Sequence, residues 1–294
     1  MKPQMPPLAR IEGVPRYFGI GRIVHVDKEN TVSFSELIEN LVSSDMIFIG
    51  EVHDNPEHHL IEVQIRQALL ARRFSRTVAM EFFAKPRQAA VDRYLSGKSA
   101  EPEFLKDVDW KHQWSFDYSF YRPIILEIKE NRGRILAINA PNDLVRKVAG
   151  SGLKSLSPDE RAQLAENIDL SSKRHREYLA EIFKYHTHNQ VKNFDNFYAA
   201  QCVWEDTMAE NIAKYRKKTG NKLIVLTGNG HIINKFGIPD RTFRRVPVKI
   251  ITIVLLPLGT DMQTIRRGMA DYVWLTGNCA RIRSVFRPGH SKKK

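Results

Sequence analysis

Residues 46–53, with the sequence MIFIGEVH, decide the fold, because an apolar run stops at a glycine and is followed by a glutamate and a histidine. Such a run is typical of a strand buried on both faces. Residues 225–231, VLTGNGH, repeat the pattern of an apolar strand followed by Gly-x-x-His. Further buried strands are predicted at 77–80, 134–138 and 249–256, the last ended by a proline. Helical patterns alternate with these strands, which predicts an α/β fold with a mostly parallel sheet and helices on both faces.

Helix starts support this order of elements. Ser33 and Glu36 form a capping box before apolar positions at helical spacing, and Asn55 with Pro56 predicts a helix that reaches about residue 73. Residues 157–218 are polar and strongly helical. We therefore expect a helical insert between the third and fourth predicted strands in chain order, which are the strand at 134–138 and the strand that ends before Gly228.

The chain is expected to have three parts. Residues 1–30 lack clear periodicity and predict an irregular lead-in, with a short strand near residues 22–26. Residues 31–260 form the α/β domain, and residues 261–294 form a basic C-terminal extension.

Composition excludes several classes of protein. The 294 residues are 42% hydrophobic and 27% charged, which is typical of a globular protein. Two cysteines cannot build a disulfide framework or a cysteine-based zinc site. The longest clean apolar stretch, residues 250–256, is far below the roughly 20 residues of a membrane span. Residues 1–7 lack the apolar core of a signal peptide and a lipid-bearing cysteine, so the chain as written is expected to be cytoplasmic.

The net charge of +13 is concentrated at one end of the chain. Residues 211–294 carry 18 Lys and Arg against 3 acids, whereas residues 1–210 carry 28 against 30. A nucleic acid, an anionic surface or a small anionic ligand would each suit a basic block, and so would a solvated tail. No nucleic-acid-binding motif accompanies the charge, which disfavours the first of these partners.

Polar side chains follow several of the predicted strands. Ligands of parallel α/β sheets bind at the carboxyl ends of the strands, so we expect these side chains to converge there. They are Glu51, His53, Glu81, Asn139, Asn229 and His231. Imidazoles and carboxylates on one rim suit a divalent metal such as iron or zinc, with His53, Glu81 and His231 as ligands, or an acid and base set for hydrolysis.

Each of these residues also has a simpler structural interpretation. A lone histidine after a strand is most often a hydrogen-bonding loop residue, and Glu81 could form an internal ion pair with an arginine. His58 belongs to the Glu57-His58-His59 cluster at a helix start, where it either lines the site or lies exposed.

The insert carries histidines and aromatic residues on polar helices. Haem needs an axial ligand, an apolar surface and cations for its propionates, and this segment contains all three. The alternative is that its aromatic residues are core positions of amphipathic helices. The residues in question are His175, Tyr178, Tyr185, His186, His188, Phe194, Phe197 and Tyr198.

An ordered set of motifs extends over about residues 35–256. These are GEVHDNP at 50–56, AMEFF at 79–83 with Gln88, YRPI at 121–124, AINAP at 137–141, Gln201 with DTMA at 206–209, GNGH at 228–231 and GIP at 237–239. The set resembles the ChaN family of haem-binding, iron-uptake-associated proteins, within the Tiki/TraB/erythromycin-esterase-like superfamily.

The resemblance implies an α/β fold with a helical insert and haem bound between the subunits of a homodimer. Tyr185, His188 and Tyr198 are the candidate haem ligands within the insert. The superfamily implies an active or metal-binding site at His53, Glu81 and His231, with Glu51 close by. Relatives are commonly membrane-anchored lipoproteins, and this sequence departs from them in lacking the lipid-bearing cysteine.

Two functional hypotheses therefore stand. The first is haem binding in haem or iron acquisition or handling. The second is a hydrolase of ester or peptide bonds, in which His53, Glu81 and His231 hold a metal-bound water and Glu51 acts as general base.

Overall fold

The structure is a computed structural model that describes residues 7–185 and 193–278, apart from the side chain of Tyr185. The strands are β1 (Leu8–Ile11), β2 (Tyr17–Gly19), β3 (Ile23–His25), β4 (Asn30–Val32), β5 (Met46–Glu51), β6 (Thr77–Ala84), β7 (Arg134–Asn139), β8 (Leu223–Gly228), β9 (Ile250–Leu258), β10 (Gln263–Ile265) and β11 (Tyr272–Gly277). The helices are α1 (Phe34–Val42), α2 (Pro56–Ala71), α3 (Gln88–Leu95), α4 (Glu101–Asp107), α5 (Trp110–Gln113), α6 (Tyr118–Glu130), α7 (Asn142–Ser151), α8 (Pro158–Arg161), α9 (Lys173–Tyr185), α10 (Phe194–Thr219) and α11 (Ile238–Arg245).

Most of these strands belong to one sheet. Within the described residues, eight strands pair in the order β4-β3-β11-β9-β5-β8-β6-β7. Every pair from β11 to β7 is parallel, whereas β3 and β4 add an antiparallel edge. A second sheet of three short strands has the order β10-β1-β2. The predicted mostly parallel α/β sheet is confirmed.

Helices cover both faces of the large sheet, as predicted. Ile47 and Ile49 of β5 point into one hydrophobic core, which α1, α2, α3 and α6 complete. Met46 and Phe48 point into the other, with α10, α11, β1 and β2. Because successive side chains of a strand face opposite sides, the continuous apolar run of β5 is buried on both.

Local signals placed the helix starts correctly. The side chain of Ser33 accepts a hydrogen bond from the Glu36 backbone N–H, and the Glu36 carboxylate accepts one from the Ser33 N–H at 2.7 Å. Asn55 caps α2, which begins at Pro56. The predicted end of β9 was wrong, because the strand continues through Pro257 to Leu258. Pairing with β5 stops at Val254, so no β5 residue pairs with Pro257, whose nitrogen cannot donate.

Residues 7–30 and 261–278 contain more strands than predicted. In the expected irregular lead-in, β3 matches the short strand near residues 22–26, but β1 and β2 were not predicted. In the expected basic extension, β10 pairs with β1, and β11 lies between β3 and β9 in the large sheet. The charge of a segment says little about short apolar strands inside it, which explains the error.

None of the helices within residues 7–185 and 193–278 combines the length and the apolarity that crossing a bilayer requires.

Candidate functional site

The order of the strands brings the two Gly-x-x-His segments and Glu81 together. β8 lies between β5 and β6, so the carboxyl ends of these three strands are adjacent. Glu51 and His53 follow the apolar part of β5, and His231 lies in the 3-10 turn after β8. Glu81 lies on β6, where the register with β7 shifts between Met80 and Ala84.

Glu51 and His53 form a carboxylate–imidazole pair. His53 Nδ1 lies 2.7 Å from Glu51 Oε1, which also accepts a hydrogen bond from the Tyr121 hydroxyl at 3.1 Å. The Glu51 side chain is fully buried, whereas a quarter of the His53 side chain is exposed between Trp114 and Phe116. Burial lowers the pKa of His53, but the hydrogen bond to Glu51 and the Glu81 charge outweigh it and raise that pKa. His53 Nε2 has no hydrogen-bond partner on the protein among the described contacts and faces the chain at Gly228.

Glu81 and His231 form a second pair. Glu81 Oε2 accepts hydrogen bonds from the Thr227 hydroxyl at 2.6 Å and the Gly228 N–H at 2.7 Å, while Oε1 lies 3.2 Å from His231 Nε2. Burial would raise the pKa of Glu81, but the charge of His231 lowers it to about 2. Burial likewise opposes the charged form of His231, but Glu81 and Glu205 raise its pKa to about 10. An ion pair therefore lies beside the Glu51 and His53 pair.

Glu205 of α10 holds the other side of His231, and the sequence analysis did not identify it. Its Oε1 lies 3.4 Å from His231 Nδ1, and its Oε2 lies 3.4 Å from His175 Nε2 and 3.3 Å from Arg241 Nε. All four side chains are buried. Burial raises the pKa of Glu205, but His175 and His231 hold it well below its usual range. Glu205 lies between Gln201 and Asp206, which belong to one of the motifs quoted above. Its position in the sequence therefore pointed to this region, but no pattern of residue types pointed to Glu205 itself.

His58 and His59 are neighbours in α2 with opposite protonation. The Val52 N–H donates to His58 Nδ1 at 2.9 Å, and His58 Nε2 lies 2.8 Å from the Thr276 hydroxyl. Burial lowers the pKa of His58 to about 4, so it is neutral. Burial also opposes charge on His59, but the carboxylates of Glu51 and Glu62 raise its pKa to about 10. His58 thus holds the loop after β5 through the Val52 N–H, rather than lining the site as predicted.

The two predicted asparagines support the backbone at the strand ends. Asn139 Oδ1 accepts a hydrogen bond from the Ala140 N–H at 2.8 Å, and no described hydrogen bond joins it to the Glu and His pairs. Asn229 Nδ2 donates to the Leu255 carbonyl oxygen at 2.7 Å. A Cβ at Gly50 would lie 2.5 Å from Asn229 Oδ1. Gly50 is therefore required for the close approach of the β8 turn to β5.

The group of side chains best arranged for a metal differs from the predicted set. Glu51, His59 and Glu62 are buried and offer ligand atoms within 4.8 Å of one another; in the part of the chain described, they are the group that meets this condition. The predicted ligands were His53, Glu81 and His231. Both oxygens of Glu81 already contact Thr227, Gly228 and His231, which explains why this set is arranged as ion pairs.

The predicted haem ligands fall on different parts of the insert. Tyr198 is 1% exposed, and its hydroxyl donates to the Ser172 carbonyl oxygen at 3.2 Å, an arrangement that favours the alternative of a core position. It packs in a small core with Leu179 and Cys202. The Tyr185 side chain and His188 lie outside the described residues.

Comparison with known proteins decides the family. The model of the haem-binding uptake family ChaN, of the Tiki superfamily, matches residues 37–242. This chain belongs to the ChaN family. The match includes the strand-end site, the helical insert and most of α11.

A solved structure described as cofacial haem binding to ChaN of Campylobacter jejuni has the same fold. It is 21% identical, the match covers 86% of this chain and 95% of that one, and the TM-score is 0.67. A mutant of the erythromycin esterase EreC, solved in its open conformation, is 14% identical with a TM-score of 0.49, and the match covers 78% of this chain and 74% of that one.

A curated relative is Protein RETICULATA-RELATED 5, chloroplastic, of Arabidopsis thaliana. It is 22% identical over 275 residues, which covers 84% of this chain and 36% of the relative. The chain therefore spans about a third of the length of that relative.

Proposed function

We propose that this ChaN-family chain binds haem and acts in haem or iron acquisition or handling. The observation that carries the proposal is the family match over residues 37–242, which includes the helical insert. The Campylobacter jejuni relative, whose description names cofacial haem binding, has the same fold.

The insert contains the kinds of groups that haem requires. Phe183, Phe194 and Phe197 pack with ring centroids 5.1–6.4 Å apart and are partly buried. Arg176 of α9 lies over the Phe194 ring, with its guanidinium carbon 4.9 Å from the ring centroid. Arg174 also lies on α9. An apolar aromatic surface suits a porphyrin, and guanidinium groups suit its propionates. Bound haem supplies an iron centre, and the chain would supply the axial ligand, this surface and the cations.

Tyr185 and His188 remain the proposed axial ligands, since both follow the aromatic part of α9 in the sequence. We do not retain Tyr198 in this proposal, because its hydroxyl donates to a backbone carbonyl oxygen inside the core. We further propose a homodimer with haem between its subunits, as the family resemblance implies.

A haemin titration of the purified chain tests this function. We expect a shifted Soret band in the wild type and in Tyr198→Phe, and an altered band in Tyr185→Phe or His188→Ala. Sedimentation with and without haemin would report dimer formation. A wild-type protein that leaves the haemin spectrum unchanged would refute haem binding.

The Glu51 and His53 pair favours a second function, a Glu/His-dependent hydrolase. Glu51 holds the Nδ1 proton of His53, which leaves Nε2 as the basic nitrogen when the ring is neutral. This is how a carboxylate fixes the tautomer of a catalytic histidine. The His53 side chain is also more exposed than those of Glu51, Glu81 and His231.

The chemistry that this pair supports is base-catalysed hydrolysis of an ester. His53 Nε2 takes a proton from water, the hydroxide adds to the carbonyl carbon, and the tetrahedral intermediate then expels the alkoxide. The resulting imidazolium returns its proton to that leaving group, giving an acid and an alcohol. Glu51 stabilises the imidazolium between these two steps.

A panel of ester and peptide substrates tests the second function. General base catalysis contributes about 10²–10⁴-fold, so His53→Ala should lower kcat/KM by at least about 100-fold. His112→Ala is the matched control, because His112 is an exposed histidine outside the site. Equal activity of the two variants, or an inactive wild type, would refute the hydrolase.

A further inference from the structure

Two side chains on one face of α2 meet Glu51 behind the strand-end site. His59 and Glu62 are three residues apart in a helix, so their side chains lie on the same face. His59 Nδ1 lies 2.9 Å from Glu51 Oε2 and 3.5 Å from Glu62 Oε2. Metal bonds of about 2.1 Å place neighbouring ligand atoms about 3.0–3.4 Å apart, which is close to these separations.

Apart from these two ion-pair contacts, the atoms that face one another in this group have no hydrogen bonds in the structure. These buried atoms are Glu51 Oε2, His59 Nδ1 and both carboxylate oxygens of Glu62. Glu62 is 0% exposed, and its Oε2 has only the 3.5 Å contact with His59 while its Oε1 makes no described hydrogen bond, which costs free energy for a buried carboxylate. A shared ligand between the three side chains would satisfy all of them.

The nearest buried cation on α2 does not satisfy Glu62. Arg66 lies one turn further along the helix, but its closest carboxylate contact is Glu127 Oε1 of α6, at 3.8 Å from Nη1. That pair leaves the Glu62 carboxylate without an ion pair to any described arginine or lysine. Among the described ion pairs, His59 is therefore the side chain of this helix that contacts the Glu62 carboxylate.

The remaining atoms of the group are oriented by hydrogen bonds, as metal ligands usually are. His59 Nε2 lies 3.1 Å from the carbonyl oxygen of His53, to which its N–H donates. Glu51 Oε1 accepts from Tyr121 and contacts His53. A backbone carbonyl that holds the second nitrogen of a histidine is the usual outer partner of an imidazole ligand.

We propose that Glu51, His59 and Glu62 bind a first-row divalent cation such as Mn²⁺, Fe²⁺ or Zn²⁺. One imidazole and two carboxylates form a mixed nitrogen and oxygen donor set that suits these ions. The ion takes the place of the proton on His59 Nδ1 and neutralises both carboxylates. It also orients Glu51, whose other oxygen holds His53. The site shares Glu51 with the hydrolase proposed above but does not depend on that activity.

Metal content tests the site directly. The full chain is incubated with ZnCl₂ or MnCl₂, dialysed and analysed for bound metal, and its Kd is measured by calorimetry. We expect about one ion per chain in the wild type and an increase in Tm. Glu62→Gln keeps the size of the side chain and removes its charge, and it should weaken binding at least about 100-fold, because loss of an outer partner alone costs about 10–100-fold.

Two further variants make the result specific. Glu127→Gln removes a buried carboxylate that faces Arg66 outside the group, and His231→Asn removes a predicted ligand of the strand-end set. Both should retain wild-type affinity, and circular dichroism confirms folding of each variant. Equal affinity of Glu62→Gln and wild type, no bound metal in the wild type, or loss of metal in His231→Asn would each overturn the proposal.

Discussion

Gly228→Ala should displace His53 without removing any polar group. An alanine Cβ at this position would lie 2.8 Å from His53 Nε2 and 2.9 Å from its Cε1, whereas ordinary contacts begin at 3.4 Å. The ring must therefore move by about 0.6 Å. The backbone of Gly228, with φ −64° and ψ 145°, suits any residue, so the contact with His53 is the source of the effect.

The displacement acts on the 2.7 Å hydrogen bond between His53 and Glu51. A hydrogen bond to a charged group contributes about 1.5–3 kcal/mol. Because a quarter of the His53 side chain is exposed, we take the lower end of this range. The pKa of His53 should fall toward its usual value, because the hydrogen bond to Glu51 that helps to raise it is weakened. The unfolding free energy should fall by about 1 kcal/mol, as expected for mild overpacking.

NMR titration of the histidine Cε1–H signals measures the pKa, and thermal unfolding measures the stability. Gly230→Ala is the matched control, since a Cβ there would meet no atom within 4 Å. An unchanged His53 pKa in Gly228→Ala would refute this reasoning, and so would an equal decrease in Gly230→Ala.

Three further predictions follow from the buried histidines and Tyr198. The folded pKa of His231 is raised to about 10, so its ion pairs stabilise the protein fully below about pH 6.5 and are lost as the pH rises toward 10. In denaturant titrations, the difference in unfolding free energy between wild type and His231→Asn should therefore shrink over that range. The folded pKa of His58 is lowered to about 4, so its contribution to stability is present above about pH 6.5 and is lost as the pH falls toward 4. His58→Gln should therefore lose less Tm than wild type on acidification. An identical decrease of Tm in the two proteins would contradict this. Tyr198→Phe should cost about 1 kcal/mol in urea unfolding by losing the bond to Ser172, while leaving haemin binding unchanged; altered haemin binding would restore Tyr198 as a ligand.

The strand-end residues could be predicted because their signals are local. Glu51, His53 and His231 each follow an apolar run interrupted by a glycine, and the carboxyl ends of parallel strands share one edge of a sheet. Glu205 has no such signal. It lies in the middle of a long helix, and only the packing of α10 against the β8 turn brings it to His231.

In the insert, residue type suggested more candidate ligands than the structure supports. Its aromatic and histidine residues were all candidates by type, but burial distinguishes them. His175 contacts Glu205 inside the protein, and Tyr198 is a core residue. Residue type alone does not indicate whether a tyrosine hydroxyl meets solvent, a ligand or a backbone carbonyl.

The sequence by itself determined the class of fold, the positions of strands β5 to β9 and the edge of the sheet at which the candidate site lies, since hydrophobic periodicity and capping act over a few residues. The tertiary structure decided the strand order that places β8 between β5 and β6. It also decided the protonation of His58 and His59, adjacent residues of one type: burial lowers the pKa of His58, whereas Glu51 and Glu62 outweigh burial and raise the pKa of His59. The burial comes from segments distant in the sequence, such as Thr276 against His58 and Tyr121 against His59, so no local pattern could have contained it.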